Sequence, residues 1–145
     1  MTGLHSKELT LAEVTNVWPE AQEYLRDAVE DRDPDSFLRN VQAKLFAGLH
    51  TLWRVVDDAG ELVGYVVTTI YTPDGVTKIA QIYMASANDL SLLTRQMPHY
   101  LEWADKRGVH LIEIVGRKGW EKILAPYGFK HNYTSLLRRV REEYN

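Results

Sequence analysis

The chain has 145 residues, a formal net charge of −3 and no cysteine. A hydrophobic content of 45% and a charged content of 26% are typical of a globular protein, and this length is enough to bury one hydrophobic core. We therefore predict a single domain over residues 1–145. The absence of cysteine excludes disulfides, cysteine–zinc sites and thiol nucleophiles.

The charge and hydropathy patterns argue against nucleic acid and membranes as partners. Seventeen basic residues stand against twenty acidic ones, and they form no basic stripe of the kind that follows a phosphate backbone. No apolar run approaches the length needed to span a bilayer, and residues 1–10 lack the apolar region of a signal peptide. The sequence thus predicts a cytoplasmic protein.

The N-terminal region predicts a short strand, over residues 4–9, followed by a helix. Thr10 is a suitable N-cap for that helix. Pro19 lies inside the helical pattern, so a start near Trp18 with Pro19 in the first turn is the alternative. Apolar residues at intervals of three and four place one face of the helix in the core. These residues are Val14, Val17, Ala21, Leu25 and Ala28.

A second helix is predicted to begin at Asp33 and Pro34, because aspartate is a favoured N-cap and proline is favoured at the first helical position. Gly48 is suited to ending it. The apolar residues recur every four positions, at Phe37, Val41, Leu45 and Leu49.

The next stretch, residues 52–85, predicts an antiparallel meander of three strands. Its strand segments are rich in Val, Ile, Thr and Tyr, which fit a pleated surface. The turns between them fall at residues 57–60 and 72–75, and each ends in a glycine that can adopt positive φ.

A long helix should follow the meander, with Asn88 or Asp89 as its N-cap and Gly108 just beyond its end. Pro98 lies inside the pattern and is expected to kink the helix or split it. Its predicted apolar face consists of Leu92, Leu93, Met97, Tyr100, Leu101 and Ala104.

The C-terminal part predicts a strand over residues 109–115, a short helix over 120–125 and a last strand over 129–140. This order of elements resembles the GNAT family of acyl-CoA N-acyltransferases, over residues 4–140. The sequence YGF at 127–129 is similar to the family's C-terminal "GF" turn, and GRKGWEKILAPYGFKHNYTSLL is similar to small GNAT-like proteins of phages. The resemblance implies an α/β (α+β) fold, with a mixed, mostly antiparallel sheet flanked by helices.

The resemblance implies acetyl-CoA or another acyl-CoA as cofactor, bound where the fourth and fifth strands diverge. In the family a glycine-containing segment places backbone N–H groups around the pyrophosphate at a helix N-terminus. The matching segment here has no glycine and no basic residue, and the Asp89 carboxylate would repel a phosphate. The alternative for Asn88 and Asp89 is simple helix capping. The implied contacts are Met84, Ala85, Ser86, Asn88, Asp89 and Leu90.

Two further residues after the fifth strand, Arg117 and Trp120, would line the path of coenzyme A. The alternative places Arg117 and Lys118 in a solvated turn and Trp120 in the core. Trp18 and Trp53 are expected to be core residues.

The catalytic groups implied by the resemblance are Gln81, Tyr83 and Tyr127. The family's frequent acid, a tyrosine four residues before the glycine of "GF", is replaced here by Leu124. Gln81 and Tyr83 share a face of the predicted fourth strand and can hold a water, with Tyr71 as a neighbour on the preceding strand. Each of these residues also has a purely structural interpretation.

Two functions therefore remain open. The first is an acyltransferase that acts on a small-molecule or protein amine. The second is a catalytically inactive binding or structural protein with protein partners, for instance virion proteins. Dimers are common in this fold, so a homo-oligomer is compatible with either function. The five histidines show no metal-ligand spacing, and Glu113 is expected to face solvent.

Overall fold

The computed structural model describes residues 3–29, 33–86, 91–115 and 120–132. Its strands are β1 (Leu4–Glu8), β2 (His50–Asp57), β3 (Leu62–Tyr71), β4 (Ile79–Ala85) and β5 (Leu111–Ile114). Its helices are α1 (Leu11–Arg26), α2 (Pro34–Phe46), α3 (Ser91–Thr94), α4 (Met97–Lys106) and α5 (Trp120–Leu124), and a 3-10 turn follows at Ala125–Tyr127.

The five strands form one sheet in the order β1-β2-β3-β4-β5. The first four run antiparallel to their neighbours, and β5 pairs parallel to β4. Parallel neighbours need a crossover connection, and here α3 and α4 lie in that connection. The predicted mixed, mostly antiparallel sheet is confirmed.

The first helix begins where its capping signals stand. The Thr10 side chain accepts a hydrogen bond from the Glu13 backbone N–H, and the Glu13 side chain accepts one from the Thr10 N–H. This reciprocal capping box satisfies two donors that the first turn would otherwise leave unpaired. The helix therefore starts at Leu11 and continues through Pro19, so the alternative start near Trp18 is wrong.

The second helix also follows its local signals. Asp33 caps it through the Ser36 N–H, and Pro34 occupies its first position. The helix ends at Phe46, and Gly48 adopts a φ of 76° as the chain turns into β2. The helix stops before Leu49, and that side chain, the last of the predicted four-residue repeat, is 62% exposed.

Two hydrophobic clusters fill the two faces of the sheet. The cluster between the sheet and α1 and α2 defines the α1–α2 face, and the cluster beneath α3 and α4 defines the α4 face. Trp18 is buried on the first and Trp53 on the second, as predicted. The buried side chains include Val14, Ala21, Leu25, Leu38, Val41 and Leu45 on the α1–α2 face and Val55, Val66, Ile82, Leu92, Leu93 and Tyr100 on the α4 face.

Pro98 coincides with a break in the predicted long helix. α3 ends at Thr94, and α4 begins at Met97 with Pro98 in its first turn. Leu101 on α4 is 48% exposed and does not join the core as expected. Its neighbours Tyr100 and Ala104 are buried.

The end of the chain is described up to residue 132. Residues 129–132 carry no strand, and the remainder of the predicted last strand lies outside the described residues. In the part of the chain that the structure describes, no helix has both the length and the apolar character to cross a membrane.

Candidate functional site

The most distinctive feature of the sheet is the point where β4 and β5 separate. The last pair between them joins Ile82 to Ile114. β4 continues to Ala85, still paired on its other side with β3 through Val66 and Val67. The far end of β4 thus has no strand partner on its β5 side among the described residues, which leaves backbone N–H and C=O groups open at that edge.

A β-bulge lies at this same point. The register between β3 and β4 shifts, because Val67 pairs with Met84 while the adjacent Thr68 pairs with Ile82. Tyr83 is therefore the extra residue, and it packs on the α1–α2 face together with Met84. Ile82 packs on the opposite face. The bulge places Met84 on the same face as Tyr83, whereas simple alternation along the strand would put it on the opposite face.

The Tyr83 ring is held between two other rings. Phe37 stacks on it with 6.1 Å between the ring centroids and an interplanar angle of 3°, and His50 lies 5.2 Å away at 37°. The Tyr83 hydroxyl has no hydrogen-bond partner among the described residues. Burial raises the pKa of Tyr83 above its usual 10.0, so the phenol carries its proton at neutral pH.

His50, at the start of β2, is a neutral base beside this tyrosine. Its Nδ1 lies 3.2 Å from the Leu49 carbonyl oxygen, which assigns the proton to Nδ1. Nε2 then carries a lone pair, and it is buried without a partner among the described residues. Burial is also the main cause that lowers the pKa of His50 below 6.5. His50 in addition lines a cavity of about 430 Å³ where α2 leads into β2.

A row of polar side chains crosses the sheet from β2 to β5. Strand pairing aligns His50 with Thr69, Thr69 with Gln81, and Gln81 with Glu113. The Gln81 amide donates to Glu113 Oε1 at 2.6 Å, and the Tyr71 hydroxyl donates to the same oxygen at 2.8 Å. Glu113 is half-buried and bonded, so the expectation that it simply faces solvent is wrong.

The predicted catalytic residues are thus only partly brought together. Gln81 and Tyr83 lie near each other on β4, and Tyr71 joins Gln81 through Glu113. Tyr127 is 46% exposed in the 3-10 turn, and no ring contact links it to Tyr83 among the described residues. The sequence did not predict that Glu113 and His50 belong to this site, because the residues they contact are distant in sequence. Glu113 bonds to Tyr71 and Gln81, and the His50 ring lies beside Tyr83.

The C-terminal end of β4 and the residue after it, Ser86, are closely packed; this segment is called the outlet of β4. Ser86 is buried, and its hydroxyl accepts a hydrogen bond from the Tyr65 backbone N–H at 3.0 Å. A Cβ atom at Gly64 would lie 2.2 Å from the Ser86 Oγ, so this approach requires glycine. Met84 and Ala85 are half-buried beside it, one packed on each face. The predicted contacts Asn88, Asp89 and Leu90 lie outside the described residues.

Of the two residues predicted after the fifth strand, Arg117 lies outside the described residues. Trp120 begins α5 and packs against the cluster on the α4 face, which agrees with its interpretation as a core anchor. Leu124, at the family's acid position, is buried. No group of three potential metal ligands occurs within the described ranges.

No protein-family model and no curated protein matches the sequence. Solved structures do match its fold. A predicted acetyltransferase from Clostridium acetobutylicum, solved with acetyl-CoA, has a TM-score of 0.65 and 14% identity, with 98% of this chain and 99% of that chain covered. The chain has the GNAT fold.

Two further structures with this fold extend the comparison. The aminoglycoside N-acetyltransferase AAC(6')-Iy in complex with CoA has a TM-score of 0.69 and 10% identity, and 97% of each chain is covered. The ribosomal-protein-alanine N-acetyltransferase from Brucella melitensis has a TM-score of 0.65 and 12% identity, with 94% and 99% covered. At such identities the GNAT fold is what the chains share, and function has to be argued from the site.

Proposed function

We propose that the protein is an acyl-CoA-dependent N-acyltransferase whose reaction takes place where β4 separates from β5. The observation that carries this proposal is the position of Tyr83. It is the bulge residue at the first step beyond the last β4–β5 pair, and its hydroxyl has no partner in the described part of the chain. Structures of the same fold include acetyltransferases solved with acetyl-CoA or CoA.

Acyl-CoA would supply an activated acyl thioester, so a neutral primary amine that attacks it forms a C–N bond while the C–S bond breaks, and the nitrogen loses one proton. In this proposal the Tyr83 hydroxyl, which carries its proton at neutral pH, donates that proton to the departing sulfur, and the tyrosine oxygen regains a proton from the amine nitrogen, directly or through water. Open backbone N–H groups at the end of β4 are suited to stabilising negative charge on the carbonyl oxygen. In this proposal Tyr83 is the general acid, because Leu124, at the family's acid position, has no proton to donate.

The same open edge is the part of the chain that best fits the cofactor. The end of β4, from Tyr83 to Ala85, has no partner on its β5 side among the described residues, so it can pair with the amide groups of the pantetheine arm. Ser86 contributes less, because its hydroxyl is already bonded to Tyr65. The remaining proposed contacts are Met84, Asn88, Asp89, Leu90, Arg117 and Trp120.

The pyrophosphate end fits less well. The segment at 84–90 contains no glycine and no basic residue, and it carries Asp89. This observation favours a second candidate function, a catalytically inactive protein of the GNAT fold that binds protein partners, such as virion components. In both cases coenzyme A should bind more weakly than it does to a protein with a glycine-containing segment.

Calorimetric titration with acetyl-CoA, followed by an assay of free thiol release in the presence of amines, separates the two functions. The enzyme proposal expects binding at micromolar to millimolar concentration and release of thiol that depends on the amine. Titration with acetyl-pantetheine tests the pantetheine arm alone, and we expect it to retain most of the affinity. The absence of binding at millimolar acetyl-CoA would contradict the enzyme and support the binding protein.

A further inference from the structure

Glu113 presents a half-buried carboxylate with an uneven set of partners. Tyr71 and Gln81 both donate to Oε1, at 2.8 and 2.6 Å. Oε2 has no hydrogen-bond partner among the described residues, and no ion pair to Glu113 is formed there. Two neutral donors fix the orientation of the carboxylate and leave one oxygen ready to accept.

Among the described residues, no positively charged side chain pairs with the Glu113 carboxylate. Removing a carboxylate from water, even in part, is costly unless a positive charge or several donors compensate it. In the part of the chain that the structure describes, the compensation comes only from the Tyr71 hydroxyl and the Gln81 amide. By contrast, Glu8 on β1 is paired with Arg107, and Glu102 on α4 with Lys106. A ligand cation at Oε2 would complete the site around Glu113.

The position of Glu113 relative to Tyr83 defines which cation fits. Gln81 pairs in register with Glu113 and lies two residues before Tyr83 on β4. Two residues along a strand span about 7 Å, and Gln81 and Tyr83 lie on the same face. Glu113 therefore lies two residue steps along the sheet and one strand across it from Tyr83, a diagonal separation of about 7–8 Å.

We propose that the acceptor substrate is a primary amine with a second positive charge about 7–8 Å from the reacting nitrogen, and that Glu113 binds that second charge. The inference rests on the proposed function. The reacting nitrogen must be neutral to attack an acyl group, so a carboxylate that holds an ammonium is suited to the non-reacting end. Diamines with four or five methylene groups, and lysine derivatives, belong to this class.

Glu113→Gln is the decisive variant, because it keeps an oxygen for Tyr71 and Gln81 and removes only the charge. Glu102→Gln is the matched control, since that exposed glutamate lies on α4 and pairs with Lys106. Each protein is titrated calorimetrically with 1,5-diaminopentane and with n-pentylamine, which has the same chain and one charge. Acyl transfer from acetyl-CoA to both amines is measured in parallel, and thermal melting checks folding.

We expect the unaltered protein to bind the diamine at least tenfold more tightly than the monoamine, because a charge-assisted hydrogen bond is made only by the diamine. Glu113→Gln should abolish that preference and leave the affinity for n-pentylamine unchanged, whereas Glu102→Gln should change neither. Equal affinity for both amines, no measurable binding of either, or a preference that survives in Glu113→Gln would each overturn the inference.

The two proposals fail in different ways. A preference for the diamine that depends on Glu113, without acyl transfer to either amine, would contradict the enzyme and retain the cation site as a binding site. Acyl transfer at equal rates to both amines would retain the enzyme and contradict the role of Glu113.

Discussion

The two faces of the sheet differ in how completely their polar groups are paired. On the α4 face they are bonded to each other. The buried Trp53 Nε1 donates to Thr68 Oγ1 at 2.9 Å, and the Tyr100 hydroxyl lies 3.2 Å from Ser6 Oγ. Trp53 also makes edge contacts with three rings, those of His99, Tyr100 and Trp103. These groups are completed within the protein.

On the α1–α2 face, polar atoms near the end of β4 stay incomplete among the described residues. They are the Tyr83 hydroxyl, the Glu113 Oε2 and the His50 Nε2. Of these three atoms only the His50 Nε2 is fully buried. It and the Trp18 Nε1 on the same face are the buried side-chain polar atoms without a partner among the described residues, and such atoms are uncommon unless a ligand or water completes them. The bonded groups on the α4 face support the fold, whereas the Tyr83, Glu113 and His50 atoms without partners lie at the proposed site.

The largest expected effect is on the α4 face. Trp53→Ala removes a ring that is 2% exposed and should lower the free energy of unfolding by about 3–5 kcal/mol. Urea unfolding measures this change in the free energy of unfolding. Tyr127→Ala, at a ring 46% exposed, is the control and should stay within about 0.5 kcal/mol. Similar losses in the two variants would contradict the placement of Trp53 in the core.

On the α1–α2 face, we expect a substitution at Tyr83 to lower the activity without lowering the stability. Tyr83→Phe removes only the hydroxyl, which has no partner to lose in the described structure. Acyl transfer should fall about 100-fold, as for loss of a general acid, while the free energy of unfolding changes by less than about 0.5 kcal/mol.

Tyr24→Phe provides the matched control for Tyr83→Phe, because Tyr24 is an exposed tyrosine on α1. Initial rates with acetyl-CoA and an amine compare the three proteins. An unchanged rate in Tyr83→Phe would remove Tyr83 from the proposed reaction.

A third prediction concerns the packed outlet of β4. Gly64→Ala places a methyl group 2.2 Å from Ser86 Oγ and should cost about 1–3 kcal/mol by overpacking. The double variant with Ser86→Ala removes that oxygen and should recover part of the loss, which a double-mutant cycle in urea detects. Additive losses would show that the two residues are not in contact.

The smallest effect is a pH dependence from His50. Burial lowers its pKa in the folded state below the 6.5 of the unfolded chain, so the unfolded state binds the proton first as pH falls. The corresponding stability is present above pH 6.5 and is lost as pH falls below it. The urea midpoint should drop between pH 7.5 and 5.5, and less so in His50→Phe. Equal drops would assign the titration to another group.

The sequence predicts the fold where local chemistry decides it. Asp33 and Pro34 set the start of α2, and Gly60 and Gly75, with φ of 81° and 78°, form the two turns of the meander as expected. The predicted helix is split near Pro98, because proline has no backbone N–H to donate to the preceding turn. These signals act within a few residues, so a single sequence is enough to read them.

The site could not be predicted in the same way, because its contacts are long-range. Glu113 depends on Tyr71 and Gln81, which are 42 and 32 residues away in sequence. The bulge at Tyr83 is a register shift between two strands and has no signature in β4 alone. His50 was unremarkable in sequence because its burial and its tautomer are set by packing.

The antiparallel pairing of β1 with β2 also has a consequence for how the chain folds. Leu4 pairs with Asp57 and Glu8 with Trp53, so both first helices lie in the loop that this pairing closes. The hairpins β2–β3 and β3–β4 close only short turns, and loop-closure entropy therefore favours them as the earlier contacts. We expect the meander to form the folding nucleus and β1 to join late, as a latch that draws α1 and α2 onto a sheet already assembled.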